Sequence, residues 1–325
     1  MEERRLTIAN MPRGVYDYAL HHQLADRGRR RYNPFSFDFD STPLDLEVPV
    51  AHWNETVTKN HLENRARTIE RLKLEYGERN IEAVIQNTSD LGPRSMSLVT
   101  YHNSMHRQAR SAFIMGAYYP ALVAACALGE RILNHLILDL RGGFTSSRHY
   151  RKIYKKNSFD NWSSSIEILS DWNVMLPEAA ENFLKLEPLR HRSVHFNPET
   201  YSTMREDALL ALSLLDKIIS RQFGYFGGQP WFIENTPGVQ FIKEDYERHP
   251  FVRTYLIPAS GFVGVNYGLE LTESGWVHLD YADYGDGSLS DEEFAKAERE
   301  RERARIVTRA MIEAQQQDAK GKQHV

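Results

Sequence analysis

Apolar residues recur at helical spacing through most of this chain. Between residues 52 and 87, Leu62, Ile69, Leu72, Tyr76, Ile81, Val84 and Ile85 recur among charges, which predicts helix; Asp90, Gly92 and Pro93 mark its end. A second helix is expected over 95–115, interrupted at Gly116. The strongest pattern runs over 117–140. There Leu122, Ala125, Cys126, Leu128, Gly129, Ile132, Leu133, Leu136, Ile137 and Leu140 give a wide apolar face. Pro120 suits the first turn of that helix, and Gly142-Gly143 stops it. Three helices follow: a short one over 160–174, one from Pro177 that Pro188 must kink or restart, and an amphipathic one over 204–222. Residues 117–222 thus read as a compact antiparallel four-helix unit.

The pattern changes at both ends. Pro12, Pro34, Pro43 and Pro49 break residues 1–50 into an extended arm, in which Phe35-Ser36-Phe37-Asp38-Phe39-Asp40 alternates as a half-buried strand would. After Gly224, residues 239–242, 252–257, 262–271 and 276–281 are β-prone. Ser290 and Glu293 form a capping box, after which the run Glu298-Arg299-Glu300-Arg301-Glu302-Arg303 predicts a solvated or partner-facing helix. Residues 315–325 have the composition of a disordered tail. The expected organisation is an arm (1–50), an N-terminal helical region (51–103), a helical bundle (104–223), a small β-rich region (224–289) and a charged helix and tail (290–325). The fold class is mainly α, with N-terminal helices and a C-terminal α+β region.

Composition narrows the function classes. A net charge of −4 over 325 residues excludes a global field for nucleic acid, so any such contact needs a local patch. No apolar run is expected to reach the roughly 18 residues of a membrane span. Met1-Glu2-Glu3-Arg4-Arg5 lacks the apolar core of a signal peptide. The single cysteine, Cys126, lies among Ala and Leu, where packing is the expected role. Together these features predict a reducing, cytoplasmic setting without a membrane partner.

Two basic stretches carry a nucleic-acid signal. Arg27-Gly28-Arg29-Arg30-Arg31-Tyr32 reads first as a solvated charge cluster, with phosphate contact as the alternative. The connector over 144–158 places Arg148, Arg151, Lys152, Lys155 and Lys156 around Tyr150 and Tyr154. Cations neutralise phosphates and aromatic faces stack on unpaired bases, so these seven residues are the candidate RNA contacts; the competing reading is a solvated loop. Gly261, Gly264 and Gly268 lack the strand–helix context of a phosphate loop. Asp280, Asp283, Asp286 and Gly287 lack the acidic spacing of a calcium loop.

The chemical centre is Leu189-Arg190-His191-Arg192-Ser193-Val194-His195-Phe196. A permanently charged arginine fork suits a phosphate or a phosphorane-like transition state. A histidine exchanges protons near neutral pH. Together they form a minimal kit for metal-free RNA cleavage, with the 2′-hydroxyl as nucleophile and DNA inert. Five residues set Arg190 and His195 roughly 140° apart on an ideal helix, so they converge only near a helix end or across two copies of the motif; Asn197-Pro198 supplies such an end. Two competing arrangements exist. Glu187, His191 and His195 are spaced four apart and could share a helix face as metal ligands of a hydrolase. Alternatively, Arg190 and the histidines serve only interhelical bonds. A buried, ion-paired Arg190 favours a non-catalytic module.

The middle of the chain, about residues 104–223, resembles the HEPN superfamily (higher eukaryotes and prokaryotes nucleotide-binding domains). Gly116-Ala117-Tyr118-Tyr119-Pro120-Ala121-Leu122 leads into an apolar helix carrying Glu130, similar to the family's first helix. Leu189 to His195 matches its Arg-polar-x-x-x-His motif, and Arg205 to Arg221 resembles its closing helix. The resemblance implies an antiparallel four-helix bundle, usually a homodimer formed through the bundle. It implies catalytic roles for Arg190 and His195, with His191 at the tuning position and Glu130 as a helper. It further implies no metal and no cofactor. The activity implied is RNA endonuclease in a toxin–antitoxin or antiviral system, with RNA as substrate and an antitoxin or regulatory protein as partner. Other members of the family only bind nucleotides or RNA.

Overall fold

In the computed structural model the described residues are 27–35, 40–50, 52–194, 200–225, 228–273, 275–281 and 283–314. The chain is mainly helical and divides into two units, one spanning 36–227 and the other joining 1–35 with 228–325. The five sequence segments therefore regroup, because residues from both chain ends share one unit.

The helical unit holds α1 (Glu55–Tyr76), α2 (Ile81–Leu91), α3 (Thr100–Ile114), α4 (Tyr118–Leu140), α5 (Trp162–Asp171), α6 (Pro177–Val194) and α7 (Thr200–Phe223). Asn54 caps α1 by accepting the Val57 N–H at 2.8 Å, and Gly77, at φ 87°, ends it. The pattern over 52–87 is thus two helices, α1 and α2, separated at a glycine whose backbone leaves the helical region. α4 is the axis of the unit. It packs against α3, α5, α6 and α7, and residues all round it are buried, including Leu122, Cys126, Ile132 and Ile137. Contrary to the sequence expectation, Tyr118–Gly143 is long and apolar enough to cross a membrane, by length and composition alone; 56% of its most apolar window is buried inside the protein. The bundle also has more members than the expected four, since α3 packs on both α4 and α7.

Pro188 neither breaks nor restarts α6; the helix runs from Pro177 to Val194 through it. A proline inside a helix frees the carbonyl four residues earlier, here that of Leu184. Leu184 and Pro188 both lie on the exposed face, where water can meet that carbonyl.

Gly129 marks the tightest point of the bundle. A Cβ there would sit 3.0 Å from the Trp162 ring and 3.1 Å from Leu186 Cδ2. Gly129→Val is expected to destabilise the protein by about 1–3 kcal/mol through overpacking. Urea denaturation reads this directly, and an unchanged midpoint would show that the α4–α5–α6 contact is looser than this.

The second unit pairs β1 (Arg31–Pro34) antiparallel with β2 (Ser260–Val263), Arg31 opposite Val263. A hairpin of β3 (Gly268–Thr272) and β4 (Gly275–Leu279) sets Leu271 opposite Trp276. α8 (Asp291–Arg299) starts at the Ser290–Glu293 capping box, as its sequence predicts. Ile233, Phe241, Val263, Tyr267 and Phe294 form the core.

Several expectations change here. The strand lies at 31–34, while residues 36–39 of the expected alternating strand are outside the described residues, as is the tail 315–325. The stretch 252–257 is not a strand but a buried helical turn, Val252–Leu256, continued by Ile257–Ala259. Phe251, Val252, Tyr255 and Leu256 follow helical spacing, and a short apolar run is ambiguous between the two periods. Among the described residues, 239–242 contribute one bridge, Phe232 to Ile242, and no strand. The charged run does not continue the helix, because α8 stops at Arg299; Glu298 is buried and Arg301 lies over the Tyr267 ring at 4.9 Å.

The arginine run at 27–31 is not a solvated cluster either. Arg30 is buried and pairs with Asp280 at 2.8 Å. Arg31, 1% exposed, reaches Asp291 at 2.8 Å, Glu244 at 3.2 Å and the Leu289 carbonyl at 2.7 Å. Asp280 is thereby committed to structure, since it also accepts the Gly264 N–H at 2.8 Å. Gly261, Gly264 and Gly268 likewise pack, against His278, Tyr284 and the Val307 carbonyl.

Candidate functional site

α4 and α6 present their polar residues to a common groove of about 540 Å³. Glu130 projects from α4, and Arg190 from α6, one turn before that helix ends at Val194. The Arg190 Nε and Nη2 both donate to Glu130 Oε2, each at 2.7 Å. Arg190 is 20% exposed, and its guanidinium carbon lies 5.9 Å from the centre of the buried Trp162 ring. Two residues 60 positions apart, read separately from two helices, thus meet on one wall. The same contact satisfies the condition that favours a non-catalytic module, because Arg190 is mostly buried and ion-paired.

The end of α6 is fastened around them. The Ser193 hydroxyl donates to the Arg190 carbonyl at 2.9 Å, and the Tyr119 hydroxyl donates to the Ser193 carbonyl at 3.1 Å. Arg192 pairs with the buried Asp207 of α7 at 2.9 Å. His191 is exposed on the outer face of α6. His195, Asn197 and Pro198 lie outside the described residues, so the Arg190–His195 pair and the triad Glu187, His191 and His195 are not described as geometries. Glu187 itself accepts a hydrogen bond from the Ser163 hydroxyl at 3.3 Å.

Cys126 also lines the groove. It is buried, and burial pushes its thiol up to about 11, which removes the thiolate a nucleophile needs. The packing role expected from its neighbours holds.

The basic connector is held in place rather than loose. The Arg141 Nη1 donates to the carbonyls of Ile153 (3.0 Å) and Lys156 (2.7 Å). Asn134 clamps its far end by donating to the Phe159 carbonyl at 2.8 Å and accepting the Phe159 N–H at 2.6 Å. Arg151, Lys152, Lys155 and Lys156 are exposed, and among the described residues none of them pairs with a carboxylate. Tyr154 is exposed and stacks on the half-buried Tyr150 with ring centres 5.7 Å apart. Lys155 lies 5.4 Å over the Tyr154 ring. Arg148 departs from this group: its charge is met by Asp171 at 2.5 Å and Glu167 at 3.6 Å.

His149 Nε2 meets the same Asp171 oxygen at 2.6 Å, and this hydrogen bond, ahead of Arg148, holds the Asp171 carboxyl below the usual carboxylate range. His149, Glu167 and Asp171 bring three donor atoms within 4.8 Å of one another, which is metal-ligand spacing. Arg148 already bridges the two carboxylates, so the donor set is balanced by an internal cation.

Glu130 and Arg131 stand out in the sequence as charges inside an apolar helix that either face solvent, pair with a neighbouring helix or border a polar site, and both line the groove; sequence reasoning missed Asn134, His135, Asn157 and Ser158, which line it with them. The signal was present in the four-residue spacings Glu130 to Asn134 and Arg131 to His135, which place polar side chains in a stripe on an otherwise apolar helix. No protein-family model, curated protein or solved structure matches this chain.

Proposed function

We propose that this protein is a metal-independent RNA endonuclease of HEPN type, acting as a toxin or antiviral defence effector. The observation that carries this reading is that Arg190 and the end of the cationic connector, Asn157 and Ser158, line one groove. RNA lies along Arg151, Lys152, Lys155 and Lys156, with an unpaired base against Tyr154. Arg190, oriented by Glu130, stabilises charge on the phosphoryl oxygens as the 2′-hydroxyl attacks. His195, the next residue after the end of α6, supplies proton transfer. The antiparallel bundle carries a second copy through the α4–α6 face, and an antitoxin or regulatory protein restrains the activity.

A second reading, a non-catalytic RNA- or nucleotide-binding module, is favoured by the engagement of Arg190 with Glu130. Incubating purified protein with total RNA in EDTA, beside His195→Ala, separates the two. Cleavage by the native chain alone, leaving 2′,3′-cyclic phosphate ends, supports the endonuclease. Absence of cleavage in both supports the module. Cleavage that EDTA abolishes transfers the assignment to a metal-dependent hydrolase.

A further inference from the structure

The groove beside α4 contains two cationic arrangements of different character. Arg190 is ion-paired, with Nε and Nη2 each 2.7 Å from Glu130 Oε2. Arg131 is not. Its side chain is exposed, and among the described residues no carboxylate lies within ion-pair distance of it. With Glu130 neutralising Arg190, Arg131 is the uncompensated cation of the groove. His135 follows one turn along the same helix, so the two side chains emerge on one face. The His135 ring is backed by Tyr101, ring centres 5.0 Å apart, and Asp139 lies one turn beyond on α4.

The connector supplies the remaining wall. Asn157 and Ser158 line the groove, directly after Lys155 and Lys156 and directly before Phe159. Both backbone bonds from Phe159 go to Asn134 on α4, which fixes Ser158 beside the helix. A guanidinium, an imidazole, a hydroxyl and a carboxamide on the wall of one groove form a donor set for phosphate oxygens.

We propose that Arg131 and His135, with Asn157 and Ser158, form a phosphate-binding subsite that takes a phosphodiester of a single RNA strand, separate from the Glu130–Arg190 pair. The subsite rests on the RNA reading above and adds what that reading lacks, a free cation inside the groove. The strand leaves the exposed lysines of the connector and enters at Asn157 and Ser158. One phosphate is held there while the next reaches Arg190.

The test is fluorescence anisotropy with a labelled, fully 2′-O-methylated RNA oligonucleotide, which lacks the nucleophile and cannot be cleaved. Arg131→Ala and His135→Gln are each expected to weaken binding about tenfold. Arg131→Ala should also flatten the dependence of log affinity on log salt by about 0.7, the contribution of one contact to a single strand. Arg131→Lys should restore that slope, which a fold defect would not allow. Arg79→Ala, on the exposed turn between α1 and α2, should bind as the native chain does. Unchanged affinity and slope in both groove variants overturn the subsite, as does a native chain that does not bind the oligonucleotide. Cleavage is not read, so an inactive Arg190 leaves the subsite standing; unchanged variants of a chain that binds RNA overturn the subsite and leave the endonuclease standing, whereas a native chain that binds no RNA overturns both.

Discussion

Arg190→Ala is expected to lower RNA cleavage by about two to three orders of magnitude while the fold persists. The loss follows from removing the one guanidinium that the groove positions through α6 and Glu130. Among the described residues Arg192 cannot replace it, because it is committed to Asp207, and Arg131 projects from α4. The stability cost should be small. Arg190 and Glu130 are 20% and 36% exposed, and such partly solvated pairs contribute about 1 kcal/mol or less. Circular dichroism and melting temperature should therefore stay close to those of the native chain, within a few degrees. Retained cleavage in a folded variant would remove Arg190 from the site. Glu130→Gln adds a second readout. If Glu130 orients a catalytic Arg190, this variant loses rate with substrate affinity little changed; if the pair only joins two helices, stability falls and no rate changes.

Acid is expected to unfold the helical unit through two histidines on α3. His102 and His106 are fully buried, and burial is the first cause that pushes each down to about 3 from an ordinary 6.5. His102 retains one bond, Nδ1 to the Ser97 hydroxyl at 3.0 Å. Among the described residues neither ring nitrogen of His106 has a hydrogen-bond partner, and the charges of Arg110 and Arg94 further disfavour its protonation. The sign follows. Above pH 6.5 both histidines are neutral in either state and contribute no pH dependence. Below it the unfolded chain binds two protons that the folded chain refuses until about pH 3. Stability therefore falls by about 1.4 kcal/mol per pH unit for each histidine, or roughly 5 kcal/mol for both at pH 4.5. Typical domains have about 5–15 kcal/mol in total, so this is a large fraction. Urea denaturation at pH 7 and pH 4.5 measures it. In His106→Leu the difference between the two pH values should shrink by roughly 2.7 kcal/mol, one histidine's share. At pH 7 the variant should be no less stable, since it removes a buried polar ring without hydrogen-bond partners. Equal pH differences in the two proteins would mean that water or a backbone shift lets His106 charge inside the fold.

The helical class, the 118–140 axis, the Ser290 cap and the burial of Cys126 were all legible in the sequence. Each depends on local periodicity or on residues a few positions apart, and such signals survive without knowing the rest of the chain. Arg190 and Glu130 could each be singled out for the same reason. Tertiary structure alone decided that they meet, because a contact across 60 residues depends on how α4 and α6 dock. It also decided which cations are free. Arg148 read as a candidate RNA contact and Arg30 and Arg31 as a solvated cluster, yet their charges are met by Asp171, Asp280 and Asp291, from 23 to 260 positions away along the chain. Arg131, next to Glu130 on α4, lines the same groove, and among the described residues no carboxylate pairs with it. Pro188 shows the same division. Its missing donor was visible in the sequence, but only the exposed face of α6 explains why the helix continues. Spacing along the chain determines which side chains share a helix face. Charge balance and burial are properties of what packs against that face, and those the sequence holds only through the complete fold.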